Sequence, residues 1–399
     1  MVKQLLFAEI KVKNKRPKVI FTFTEAGMGH ITPMAGMAKA FSLKYGDKCD
    51  VKESYVFSDS KEKKVRKMGD TQVKFIKLLS KSWLYRKIEG FSYRFSSRFT
   101  LKIIDFFFRG GRKKFFKEFE KEKPDLLVSS FYQPAHLARE ANDRGISDTL
   151  IATYSPDPYI YPAWDRKCDI LMVNNEAAEK CAIAKGFKKE QVKRVPFIFS
   201  DKVVANKKTR EEARAELGLP EKGVTVLITS GAYGAARNKQ LVRRLFASDM
   251  NMNVVFVFGK SESEIPKFMK LAEKKKDGVK FFPVGFTDKL SDYMIASDII
   301  IGKTGSNTVA EAAHFGRPMI LNATAGKLEE ITAEYYEKIG VAVRMESVKK
   351  IANVIEMEIR TGNGFMKESE KCAPYKDCTG AEKAADLLFG LLKTRYPDL

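Results

Sequence analysis

The stretch Asp298-Ile-Ile-Ile-Gly-Lys-Thr-Gly-Ser-Asn-Thr-Val-Ala-Glu-Ala-Ala-His-Phe-Gly-Arg-Pro-Met-Ile-Leu321 decides how the chain is read. Asp298–Ile301 is a short apolar run with strand character. It ends in the turn Lys303-Thr304-Gly305-Ser306-Asn307, a helical pattern starts at about Thr308, and Pro318–Leu321 begins another strand. Strand, glycine turn, helix and strand in such succession make one βαβ unit of a doubly wound sheet. The amides at the start of that helix, with its dipole, suit a diphosphate. Glu311, one turn in, can accept hydrogen bonds from two ribose hydroxyls. Thr308-x-x-Glu311 also matches a capping box, and both roles can hold at once.

Working outward, the same alternation fills both halves. Strands are predicted at Lys18–Phe23, Asp125–Ser129, Thr149–Thr153 and Ile170–Val173, with helices over Pro33–Leu43 and Glu176–Lys185. The pattern breaks near Val195-Pro196 and restarts with Val224–Thr229, followed by the loop Ser230–Gly234. Further strands are predicted at Val254–Phe258 and Lys280–Val284. Thr361–Gly380 reads as a loop and Ala381–Thr394 as a last helix. The expected architecture is α/β, two Rossmann-like domains facing each other across a cleft, a common place for a ligand. The expected domains are 1–196, 197–365, and a C-terminal loop and helix, 366–399, that packs back on the first.

Composition narrows the class. The 399 residues are 44% hydrophobic, enough for two or three domains at roughly 150 residues each, and too apolar for a disordered chain. No run approaches the roughly 18 apolar residues of a membrane span. Five cysteines without close pairing argue against a disulfide framework, and no zinc spacing surrounds Cys372 and Cys378. The N-terminus lacks a signal-length apolar core, so a cytoplasmic location is expected. The net charge is +22, with 72 Lys and Arg against 50 Asp and Glu. Residues 1–123 hold 30 basic and 13 acidic side chains, so +17 of the surplus lies there. Such a surface attracts phosphates, on nucleic acid or on an anionic bilayer.

A second glycine loop, Glu25-Ala26-Gly27-Met28-Gly29-His30, follows the first strand. Gly27 and Gly29 let backbone approach a ligand, and His30 can take a proton near neutral pH. The plainer reading is a tight turn with a capping histidine. Asp157 is the second candidate base. His136 and His314 lie within helical patterns and read as packed.

Together these motifs resemble the GT-B glycosyltransferases, in the branch containing monogalactosyldiacylglycerol synthase, diacylglycerol glucosyltransferases and the bacterial lipid-intermediate N-acetylglucosaminyltransferase. The Gly-Met-Gly-His loop is similar to that branch's N-terminal glycine loop, and Thr304–Ala312 to its nucleotide-sugar segment. Asp157-Pro-Tyr-Ile-Tyr-Pro-Ala-Trp164 is similar in spacing to the lipid-acting members. The resemblance runs from about Lys18 to Arg344. It implies that Glu311 holds the ribose and that Phe286 and Thr287 lie at the nucleobase. Gly231, Arg237, Lys303, Thr304, Gly305, Ser306, Asn307 and Thr308 would complete the donor site. Glu329 stands where relatives carry a Gln pair against the donor sugar.

The segment from Lys81 to Phe119 is the other lead. Lys81–Lys117 has 11 basic and 2 acidic residues, and 12 aromatics occur through Phe119. Leu84, Ile88, Phe91, Phe95, Phe99, Ile103 and Phe106 recur at helical spacing. Such a face can be core, or can lie in a bilayer interface with cations on lipid phosphates, each contributing about 1 kcal/mol on an anionic leaflet. Trp83, Arg94, Phe95, Arg98, Phe99, Lys102, Arg112, Lys113 and Lys114 are the expected contacts.

The resemblance thus implies an inverting hexosyltransferase that moves a sugar from a nucleoside diphosphate, with UDP the expected nucleotide, to a lipid acceptor such as diacylglycerol. It would act peripherally on the inner face of the cell membrane. Beyond the donor substrate no cofactor is expected; no D-x-D pair occurs, so nothing in the sequence calls for a metal. No recognition motif accompanies the charge, so nucleic acid is not an expected partner. A transferase with a soluble acceptor and a nucleotide-sugar 2-epimerase of the same fold are the alternatives.

Overall fold

The computed structural model of the chain describes residues 16–24, 28–55, 109–230, 238–324, 326–362 and 370–399. Two compact units divide it, with boundaries at Ile198/Phe199 and Cys378/Thr379.

The first unit runs β1 (Lys18–Thr22), α1 (Met28–Tyr45), β2 (Asp50–Ser54), α2 (Arg109–Glu122), β3 (Leu126–Ser129), α3 (Tyr132–Asp143), β4 (Leu150–Ser155), β5 (Ile170–Val173), α4 (Glu176–Ala184) and β6 (Val192–Arg194). All strands are parallel, in the order β2-β1-β3-β4-β5-β6. Strands β3, β4 and β5 are buried along their whole length, which explains why they read as unbroken apolar runs. Alternate residues feed opposite faces: Leu126 and Val128 join Phe21, Met37 and Phe41, while Leu127 joins Phe115, Phe119 and Trp164. Phe115 and Phe119 stack at 4.5 Å, so this end of the aromatic run is core. The C-terminal helix, Gly380–Lys393, lies on α1 and stacks Phe389 on Tyr45 at 3.9 Å.

The second unit runs α5 (Asp201–Ala205), α6 (Arg210–Glu216), β7 (Val224–Thr229), α7 (Lys239–Phe246), β8 (Met252–Val257), α8 (Ile265–Ala272), β9 (Val279–Val284), α9 (Leu290–Ala296), β10 (Ile299–Lys303), α10 (Ser306–His314), β11 (Met319–Ala323), α11 (Lys327–Lys338), β12 (Ala342–Arg344) and α12 (Val348–Thr361). Its parallel sheet has the order β12-β11-β10-β7-β8-β9. The short 3-10 turn Glu370–Lys376 packs in this unit, where His314 Nδ1 donates to the Tyr375 carbonyl at 2.9 Å. The turn thus groups with the second unit, whereas the C-terminal helix groups with the first. Gly302, at the exit of β10, packs so tightly on β7 that a methyl there would meet Thr229 Oγ1 at 2.4 Å. Among the described residues, no helix is long and apolar enough to cross a membrane.

Candidate active site

Strand order reverses at one point in each sheet, and ligands of open α/β sheets bind outside the strand C-termini there. In the first unit the point lies between β1 and β3; in the second it lies between β7 and β10.

The His30 ring is in the first turn of α1, beyond the exit of β1. Its Nδ1 lies 2.8 Å from the Ser130 carbonyl oxygen, just past β3. A carbonyl only accepts, so Nδ1 carries the proton and the neutral ring keeps its lone pair on Nε2. Ser130 Oγ donates back to the His30 carbonyl at 2.7 Å, and the Phe131 ring meets the imidazole edge-on at 5.4 Å. The imidazole is therefore half-buried, oriented and set in the tautomer of a base. Gly29 lies in the same turn; Gly27 falls outside the described residues. Asp157 follows β4, two ladder steps from β1, or about 10 Å. Asn174 holds the turn before it, donating to the Pro156 carbonyl at 2.8 Å.

In the second unit Thr304 is fully buried, its N–H and Oγ1 both donating to the Ala323 carbonyl, at 3.0 and 3.3 Å. That anchor starts the helix earlier than the sequence pattern indicated. α10 begins at Ser306 with extended Gly305 as N-cap, so Thr308 is already inside the helix and caps nothing. The capping-box reading of Thr308 and Glu311 is thereby corrected. Gly305 has no side chain with which to cap and the first turn holds no acidic residue, an arrangement whose helix dipole suits an anion. Tyr336 Oη donates to the Ser306 carbonyl at 3.2 Å and braces the turn from α11. The Asn307 Oδ1 atom is shielded from solvent and has no partner.

Glu311 projects from the next turn of this helix, where burial pushes its carboxyl up to about 7. Lys303 pairs with Glu329 at 2.9 Å, so two residues expected at the donor are engaged with each other. Past β9, Phe286 is 72% exposed and Thr287 Oγ1 accepts from the Lys289 N–H at 3.0 Å. Gly231 and Arg237 fall outside the described residues.

Of the expected membrane contacts, Trp83, Arg94, Phe95, Arg98, Phe99, Lys102 and the side chain of Lys114 lie outside the described residues. Arg112 pairs with Glu140 and lies over the Phe116 ring at 5.6 Å, while Lys113 is exposed.

The sequence reading missed Ser130, Tyr336 and Glu262, whose side chain meets the Phe286 turn. Ser130 was open to inference, because its strand exit neighbours that of β1 in a doubly wound sheet. Glu262 and Tyr336 carry no local signature.

Two doubly wound parallel sheets in one chain, each with a helix start at its switch point, make up the GT-B fold. The model of monogalactosyldiacylglycerol (MGDG) synthase matches residues 30–195, and that of the glycosyltransferase family 28 C-terminal domain matches residues 225–327. By these two matches the chain carries an MGDG synthase domain followed by a glycosyltransferase family 28 C-terminal domain.

It is similar to a processive diacylglycerol beta-glucosyltransferase of Bacillus cereus, 26% identical over 332 residues, or 82% of each chain. Among solved structures it is similar in fold to Acinetobacter baumannii MurG, with TM-score 0.60 and 12% identity over 94% of this chain and 99% of that one. Anabaena HepE, crystallised with UDP-glucose, matches with TM-score 0.54 and 14% identity over 94% and 99% of the two chains.

Proposed function

We propose that this chain transfers a hexose from a UDP-sugar to the hydroxyl of a diacylglycerol-type lipid, with inversion at the anomeric carbon. One observation carries the reading: His30, oriented at the first switch point with Nε2 as its basic nitrogen, lies within the segment matched by MGDG synthase. The Bacillus relative's diacylglycerol acceptor and the UDP-glucose bound by HepE support the same substrates.

In the reaction, the acceptor oxygen attacks the anomeric carbon as His30 Nε2 removes its proton. The bond from that carbon to the diphosphate oxygen breaks on the opposite face, so a single displacement inverts the centre. The departing diphosphate gathers negative charge, which the amides at the start of α10 and the Lys303 ammonium stabilise. Glu311 orients the ribose. Asp157 is the second candidate for the base.

A lipid acceptor requires the enzyme to work at a bilayer surface, and the +17 of residues 1–123 favours an anionic one. Lys18 and Lys52 both pair with Glu122, at 2.9 Å each, so part of that charge is met internally.

The test is turnover of UDP-glucose, UDP-galactose and UDP-N-acetylglucosamine on vesicles of anionic phospholipid containing diacylglycerol, with mass analysis of the lipids. A glycosylated diacylglycerol of inverted anomeric configuration is expected. Absence of a lipid product, with sugar transferred to a soluble acceptor instead, refutes the proposal.

A further inference from the structure

The turn after β9 is built in an unusual way. Phe286, a large apolar side chain, is turned outward and 72% exposed, although burial would stabilise it. Its backbone N–H is captured by Glu262 Oε1, which reaches across from the 3-10 turn Gly259–Glu264 after β8. The preceding residue has to be small. A Cβ on Gly285 would meet Glu262 Oε1 at 2.7 Å and Cδ at 3.0 Å, so glycine leaves the carboxylate its seat. The Phe258 N–H donates to the Val284 carbonyl at 2.7 Å and ties the same two strand exits together. The turn is thus held by a charged acceptor, and what it presents is a bare aromatic face.

The place of that face gives it a ligand. Sheet order runs β10-β7-β8-β9, so the exit of β9 lies three ladder steps from the amides of α10. That is about 14 Å, a span that a nucleoside diphosphate lying along the sheet edge can bridge. With the diphosphate at Gly305–Asn307, its base reaches the Phe286 turn, where a flat ring can stack on an aromatic side chain.

We propose that Glu262 is a positioning residue for the nucleobase: its carboxylate fixes the Gly285–Phe286 turn so that the Phe286 ring receives the base. The inference rests on the nucleotide-sugar reading above.

Calorimetric titration with UDP and with inorganic pyrophosphate, which lacks the base, tests it on the full chain. Glu262→Ala should weaken UDP about 10-fold and leave pyrophosphate unchanged. Glu262→Gln keeps an oxygen acceptor and should bind UDP within about twofold of the parent. Gly285→Ala, which displaces the carboxylate, should repeat the Glu262→Ala result and serves if that variant folds poorly. Equal UDP binding by parent and Glu262→Ala, or a parallel loss of UDP and pyrophosphate, overturns the inference while leaving the donor reading intact. A parent chain that binds no UDP overturns the donor reading and the inference together.

Discussion

His30 and Ser130 are joined by two hydrogen bonds that run in opposite directions. The ring Nδ1–H donates to the Ser130 carbonyl at 2.8 Å, and Ser130 Oγ donates to the His30 carbonyl at 2.7 Å. One bond sets the tautomer and the other fixes the first turn of α1 against the exit of β3. The ring is therefore placed before any substrate arrives, which is what a base in a displacement needs.

Replacing His30 by Ala should lower turnover about 10²- to 10⁴-fold, the usual worth of a general base, with UDP affinity unchanged. Steady-state kinetics and UDP titration check this together. Turnover near that of the parent would move the base to Asp157.

Glu311 should make stability fall with rising pH. Burial raises its folded-state pKa from 4.5 to about 7, so the neutral form is favoured in the folded chain. Its stabilising contribution is complete below about pH 4.5 and is lost as pH rises through 7. Relative to Glu311→Gln, the parent should lose roughly 3 kcal/mol between pH 4.5 and 8. Urea unfolding at several pH values reads this directly; parallel curves would mean that Glu311 is not desolvated.

Gly302→Ala should destabilise the second unit by about 1–3 kcal/mol, since the new methyl would overlap Thr229 Oγ1 and approach Met319 Cε at 3.2 Å. Thr229→Ala removes the obstructing hydroxyl. The double variant should recover part of the loss, and a double-mutant cycle by urea unfolding measures how much. Strict additivity would contradict the contact.

Arg214 is buried and donates to Asp298 at 2.7 Å, to the Ala296 carbonyl at 2.9 Å and to the Glu221 carbonyl at 2.7 Å. Arg214→Met leaves these acceptors short of a donor and should cost roughly 3 kcal/mol. The KM for donor should not change, because Asp298 precedes β10 and so marks the sheet edge opposite the nucleotide. A raised KM at unchanged stability would place Arg214 in the site instead.

Most of the strands were legible because parallel strands covered on both faces read as apolar runs, as Leu150–Ser155 and Val224–Thr229 do. Helix starts were less so. The Pro33–Leu43 pattern marked the middle of α1, which begins at Met28, and Thr308-x-x-Glu311 mimicked a capping box inside a helix already begun. The true start was set by Thr304, tied to Ala323 nineteen residues on. Phe115 and Phe119 belong to a run whose clustered cations point to a bilayer, and only packing against Leu127 and Trp164 assigns these two rings to the core.

The sequence by itself determined the two α/β halves, the strand that leads into Gly305-Ser306-Asn307 and the concentration of positive charge before Pro124. Each of these rests on residues adjacent in the chain or on composition. Only the tertiary structure decided the pairings: Ser130 with His30, Tyr336 with Ser306, and Glu262 with the Phe286 turn. The reason is the parallel sheet, whose crossovers bring strand exits together across long separations in sequence, beyond the reach of any local pattern.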